Sequence, residues 1–158
     1  MLFSTSEVLL LEIMTYLRTD KPFTDILELQ GKTVGEAMDA INFDEVIEDH
    51  DYASLMNGFD WKNIVMAIRR NPRLMECRIA ATHYDDAFGG GGGKSAVFLC
   101  ESTGEAVVAF RGTAQMEWKD DFQGCSTVDS LQQINALEWY KKVYQELGLE
   151  RYTVTVTG

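Results

Sequence analysis

The segment Ala109 to Phe122 reads Ala-Phe-Arg-Gly-Thr-Ala-Gln-Met-Glu-Trp-Lys-Asp-Asp-Phe, and its residue types suit acyl-transfer chemistry. An apolar strand ending at Phe110 delivers Arg111-Gly112-Thr113 to its carboxyl edge, where open α/β sheets bind ligands. Gly112 lets the chain turn sharply, and Thr113 then offers both an N–H and a hydroxyl. Such preorganised donors meet the charge that develops on a carbonyl oxygen, which is the work of an oxyanion hole. Asp121 follows eight residues later and can accept from the Thr113 hydroxyl, fixing its rotamer. Trp118, three before Asp121, lies on the same side of a short helix and anchors it.

Nucleophiles and metal ligands are harder to find. Ser95, Ser102, Ser126 and Ser130 are poor candidates, because none sits in the G-x-S-x-G turn that exposes a hydrolase serine. The histidines are His50 and His83. His50, between Asp49 and Asp51, reads as part of an exposed charged loop. His83 with Asp85 and Asp86 gives one imidazole beside flexible carboxylates, which fixes no coordination geometry. A solvent-facing strand end is the expectation there. Cys77, Cys100 and Cys125 are odd in number, widely spaced and free of C-x-x-C, so buried apolar thiols are expected rather than a disulfide framework or zinc site. Gly89 to Gly93, followed by Lys94-Ser95, invites a phosphate-loop reading. That pattern puts Phe88 where its first glycine belongs and needs a helix afterwards, whereas Ala96 to Cys100 is rich in strand formers. A flexible connection between two strands is the better reading. Neither a cofactor nor a metal is expected.

The elements that must position Thr113 follow from pattern. Ser4-x-x-Glu7 is a capping box before an apolar helix that runs to about Leu17, and Thr33-x-x-Glu36 repeats it before a short helix through Ile41. Asp44 to Asp51 is acidic and reads as a solvated connection. A helix from Asp60 to Arg70 ends at Asn71-Pro72, with Arg69 and Arg70 at its negative dipole end. Strands are predicted at Cys77–Tyr84, Ala96–Cys100 and Ala106–Phe110, with Ser102-Thr103-Gly104 as a hairpin turn. An earlier short strand is placed near Phe23 to Leu29. From Ser130 to Leu147, the residues Leu131, Ile134, Leu137, Tyr140, Tyr144 and Leu147 recur at helical spacing and form one apolar face, capped by Gly148. Tyr152 to Thr157 is the last strand. Strand–helix–strand over Val107 to Val156 is a crossover unit, so its two strands should be parallel. The fold class is therefore α/β, with residues 1–74 a helical segment and residues 75–158 a sheet-bearing core.

At 158 residues and 46% hydrophobic composition the chain can bury a substantial core. Its net charge of −11 argues against nucleic acid or an anionic membrane as a main partner. The apolar stretch Val8 to Leu11 is flanked by Glu7 and Glu12 with no basic segment before it, so it does not read as a signal peptide. A cytoplasmic location is expected.

Phe110-Arg111-Gly112-Thr113 followed by Trp118-x-x-Asp121 resembles the oxyanion segment of the class 3, fungal-type lipases. The chain is more similar to the Mbeg1-like family of bacterial lipase-like proteins. These open with a leucine-rich helix like Val8 to Tyr16 and carry a segment like Gly112-Thr113…Trp118-Lys119-Asp120-Asp121-Phe122. By that resemblance Thr113 is the oxyanion residue and Asp121 its partner. The family continues from a strand into Gly-His-Ser-x-Gly-Gly, so Gly158 would be the first glycine of the elbow. The triad serine, acid and histidine have no counterpart within these residues. The resemblance implies the N-terminal part of an α/β-hydrolase, a carboxylic ester hydrolase for a small ester or lipid when complete. The other reading is a non-catalytic binding or interaction module on a truncated hydrolase fold. The strand 152–157 lacks lysine, proline or a bulge and belongs inside a larger sheet. It is therefore expected to self-associate or to pair with a C-terminal half.

Overall fold

The first helix is fixed at its start by the side chains of Ser4 and Glu7. The computed structural model describes residues 2–20, 23–40, 46–48, 61–85, 93–111 and 131–158. In it, Ser4 Oγ accepts from the Glu7 N–H at 3.3 Å while the Glu7 carboxylate accepts from the Ser4 N–H at 2.7 Å. This reciprocal cap opens α1 (Thr5–Ile13). The helix is shorter than its apolar run. It tightens into a 3-10 turn at Met14–Tyr16, and Leu17 already begins strand β1 (Leu17–Asp20). β2 (Phe23–Asp25) and a 3-10 turn at Ile26–Leu29 follow. The second capping box also forms, with Thr33 Oγ1 accepting from the Glu36 N–H at 3.0 Å, and it starts α2 (Val34–Ala40).

Within the acidic stretch expected to be only a connection, Val46–Glu48 forms strand β3. β2 and β3 both pair antiparallel with β1, giving a small sheet in the order β2-β1-β3. The β-branched pair Val46-Ile47 supplies strand preference that the surrounding acids obscure. α3 (Trp61–Arg69) lies within the predicted span. Asn71-Pro72 does more than end it. Asn71 Oδ1 accepts from the Leu74 N–H at 3.3 Å and opens a further short helix, α4 (Pro72–Glu76). Proline suits that first position because its missing N–H would have no helical partner there.

The larger sheet is made of β4 (Arg78–Asp85), β5 (Gly93–Cys100), β6 (Glu105–Phe110) and β7 (Thr153–Thr157), in that order. β4, β5 and β6 are antiparallel neighbours, and β6 and β7 are parallel. The predicted crossover is therefore present, its helix being α5 (Leu131–Glu146). Gly104 takes a positive φ of 69° in the turn between β5 and β6, as a hairpin glycine should. On its outer side β4 is held by the segment before α2: the Ile79 N–H donates to Lys32 O, and Gly31 donates to Ile79 O, each at 2.8 Å. The Thr82 N–H donates to Gln30 Oε1 at 2.9 Å.

Both faces of this sheet are covered, so the described residues form a mixed α/β architecture in layers. Ala96, Phe98, Cys100, Val107 and Ala109 join Leu11, Met14, Met38 and Leu74 in one apolar cluster. Val97, Leu99, Ala106 and Val108 face the other way, onto Trp139 and Val143 of α5 and onto Leu149. The strict alternation along β5 and β6 is the period of a pleated strand buried on two sides. At the start of β6, Glu105 accepts from the Phe3 N–H and pairs with Arg73 at 2.9 Å, which ties the entry of α1 and the body of α4 to one strand end. α1 thus runs along β6 toward the opposite edge.

The apolar face of α5 is rotated from the one its spacing suggested. Trp139 and Val143 are buried, Tyr140, Tyr144 and Leu147 pack at the margin, and Ile134 and Leu137 are exposed at 43% and 52%. Trp139 decides the rotation, because its ring has the largest area to bury and finds Phe110 edge-on at a centroid distance of 5.8 Å. Gly148 closes the helix in the left-handed conformation, φ 61°, as expected.

Candidate functional site

Parallel pairing of β6 and β7 brings two strand ends to the same edge. Ala109 lies opposite Thr157, so the chain leaves the ladder at Phe110-Arg111 on one strand and at Gly158 on its neighbour. The approach is close: a Cβ on Gly158 would stand 2.8 Å from Phe110 O. A side chain is excluded there on space alone, and glycine is the residue that permits such contact.

Around that edge the structure gathers charged groups that share no sequence motif. Arg111 is 4% exposed, and its N–H donates to Lys94 O at 2.7 Å. Lys94 and Asp25 form an ion pair whose side chains are both less than a tenth exposed. The second Asp25 oxygen accepts from the Leu27 N–H at 3.1 Å, which caps the 3-10 turn. From α1, Glu12 accepts from the Thr157 hydroxyl, and Thr15 Oγ1 donates to Glu12 O at 2.7 Å. Asp25, Lys94, Glu12 and the Arg111 N–H thus join contacts from five segments, α1, β2, β5, β6 and β7, near the carboxyl end of the parallel pair.

Thr113 and Asp121 lie outside the described residues, as do Gly112 and Trp118. The structure follows the strand that leads to Thr113 as far as Arg111. Sequence reasoning missed Lys94 and Asp25 altogether. The expected strand begins only at Ala96, yet Lys94 lies within β5 and its side chain is buried. No local signal marks such a pair, since its members stand 69 residues apart.

On the far side of the sheet, β4 and α5 border an open polar groove of about 520 Å³. His83, Asp85, Asn135, Trp139 and Lys142 line it. His83 was expected to be a solvent-facing strand end. Instead its ring is half-buried and stacked on Trp139, with centroids 5.4 Å apart and planes 17° from parallel. The Asn135 amide donates to both Asp85 oxygens at 3.2 and 3.3 Å. Burial pushes the His83 imidazole below its ordinary value; Asp85 acts against this and Lys142 with it.

A lowered folded pKa means that the unfolded chain binds the proton first. His83 should therefore add stability above about pH 6.5 that is lost progressively as pH falls toward its folded pKa. Proton NMR should show its ring titrating below 6.5, with His83→Gln flattening the acid limb of the stability curve. An ordinary or raised titration midpoint would count against this packing.

Among the described residues there is no group of three or more His, Cys, Asp or Glu placed to hold a metal ion. No described helix is long and apolar enough to cross a membrane. His50, Cys125, Ser126, Ser130 and the glycines 89–92 fall outside the described residues. Comparison of the chain with protein-family models, with curated proteins and with solved structures finds no match.

Proposed function

We propose that this chain supplies the oxyanion side of a serine hydrolase acting on a small ester or lipid. The observation that carries the reading is the side-by-side parallel exit of Arg111 and Gly158, with Phe110 O against the glycine. Donors on the turn after β6 and a nucleophile on the turn after β7 would then flank one point. An acyl-transfer site requires that spacing, because the oxyanion donors must reach the carbonyl that the serine attacks. In this scheme the serine Oγ attacks the ester carbonyl while a histidine takes its proton. The Thr113 N–H and hydroxyl stabilise the tetrahedral oxyanion, and Asp121 orients the hydroxyl. The histidine then returns the proton to the leaving alcohol.

The test is covalent labelling of the protein expressed from its natural reading frame, using a fluorophosphonate probe alongside hydrolysis of 4-nitrophenyl esters. The expected result is one labelled serine in the turn directly after Gly158, with ester hydrolysis lost on its phosphonylation. Labelling of a serine elsewhere, or none under conditions where the protein is folded, overturns the proposal.

One observation favours the alternative, a non-catalytic binding module. The sheet already covers both faces with elements of these residues, through two separate apolar clusters. A cooperative melt and a sharp monomer in light scattering for the 158-residue chain would favour the module.

A further inference from the structure

Cys77 and Cys100 are buried thiols, as expected, and the strand register also brings them together. Arg78 pairs with Leu99 across β4 and β5, so extending that register by one residue sets Cys77, just before β4, opposite Cys100 at the end of β5. The pair is of the non-hydrogen-bonded kind. Ile79 sends its N–H and C=O away from β5, to Lys32 and Gly31, which makes Arg78 the residue that bonds with β5. The Cys77 N–H and C=O are in turn taken by Leu74 O and the Val34 N–H, at 3.1 and 2.7 Å. Opposed residues of this kind have Cα atoms about 4.5 Å apart. A disulfide accepts Cα separations of roughly 4.4–6.8 Å. Both side chains belong to the same apolar cluster; the Cys77 thiol donates to Arg73 O at 3.3 Å, and Cys100 Sγ lies 3.4 Å from Ser102 Oγ.

We propose that Cys77 and Cys100 are a disulfide-forming pair, closed by a small two-electron oxidant of the peroxide class. The reaction balances within the pair. One sulfur attacks a peroxide oxygen and cleaves the O–O bond, giving a sulfenic acid and water. The second sulfur displaces the hydroxyl from that sulfenic acid, forming the S–S bond and a second water. Both residues are at most 1% exposed, which favours an oxidant hardly larger than water over a bulky disulfide reagent. Burial, and then the neighbouring Cys100, push the Cys77 thiol above its ordinary value. Closure is consequently slow, because the thiolate is the reacting species. It fastens the end of α4 to the end of β5, at the opposite end of β6 from Arg111, and it is independent of the hydrolase reading.

The experiment uses the full chain with Cys125→Ser, so that two thiols remain. After treatment with hydrogen peroxide, peptide mapping without reductant should find Cys77 joined to Cys100. The intact mass should fall by two hydrogens, and the melting temperature should rise and return on adding dithiothreitol. The untreated chain with all three cysteines is mapped in parallel. Sulfinic acid at either residue without the cross-link, a preferred bond to Cys125, or both thiols left reduced after prolonged exposure would each overturn the proposal.

Discussion

Replacing Asp25 with alanine should cost about 3–5 kcal/mol of folding stability, the usual loss when one member of a buried ion pair is removed. The carboxylate goes while the Lys94 ammonium stays in a site where both side chains are less than a tenth exposed. The Leu27 N–H loses its acceptor at the same time. Lys94→Met should be milder, since Asp25 keeps the Leu27 bond and the methionine fills the stem's volume. Replacing both, Asp25→Leu with Lys94→Met, should recover most of the loss, because desolvation of the charges disappears with them. Urea unfolding with an unchanged slope reads these differences directly. A double variant as unstable as Asp25→Ala would mean that the pair is not the energetic unit. The arrangement would also fail this test if Asp25→Ala cost no more than an exposed substitution.

On the proposed hydrolase mechanism, Thr113→Val should lower turnover by roughly 10²–10³-fold, the range seen when one oxyanion donor is lost. Valine keeps the shape and the backbone N–H, so the change isolates the hydroxyl. The loss should fall on kcat with KM little altered, as expected for an interaction made in the transition state. Thr113→Ser should retain most activity, and Asp121→Asn should fall between the two. Equal turnover for Thr113→Val and the natural protein would leave Thr113 with a structural role only.

Much of the frame could be read from short-range patterns. Both capping boxes, the strands around Ile79, Phe98 and Val107, the Gly104 turn and the Gly148 cap depend on neighbours within a few residues, and all are present. The parallel pairing of β6 and β7 followed from the strand–helix–strand order of the crossover between them. What escaped depended on distant partners. Val46–Glu48 became a strand because β1 offered it an edge, which its own acidic neighbours could not announce. His83 lost its solvent to Trp139, and the rotation of α5 was set by that same ring rather than by the count of apolar positions. At the candidate site the sequence indicated the strand and its exit. It was silent on Lys94, Asp25 and Glu12, which converge from three separate stretches of chain.

The two borders of the larger sheet differ in a way that bears on stoichiometry. β4 is already occupied along its outer side by Gly31, Lys32 and Gln30. Along β7, Thr153, Thr155 and Val156 are exposed. A sheet that accepts a new strand at one border alone cannot elongate. Two copies meeting β7 to β7 about a twofold axis through Thr155 would set Thr153 against Thr157, and each would use its one accepting border in the act. Polymerisation needs two complementary ends per molecule, and such an encounter would leave the larger sheet, as far as the described residues show it, with none. Association by this route, if it occurs, would terminate at a pair.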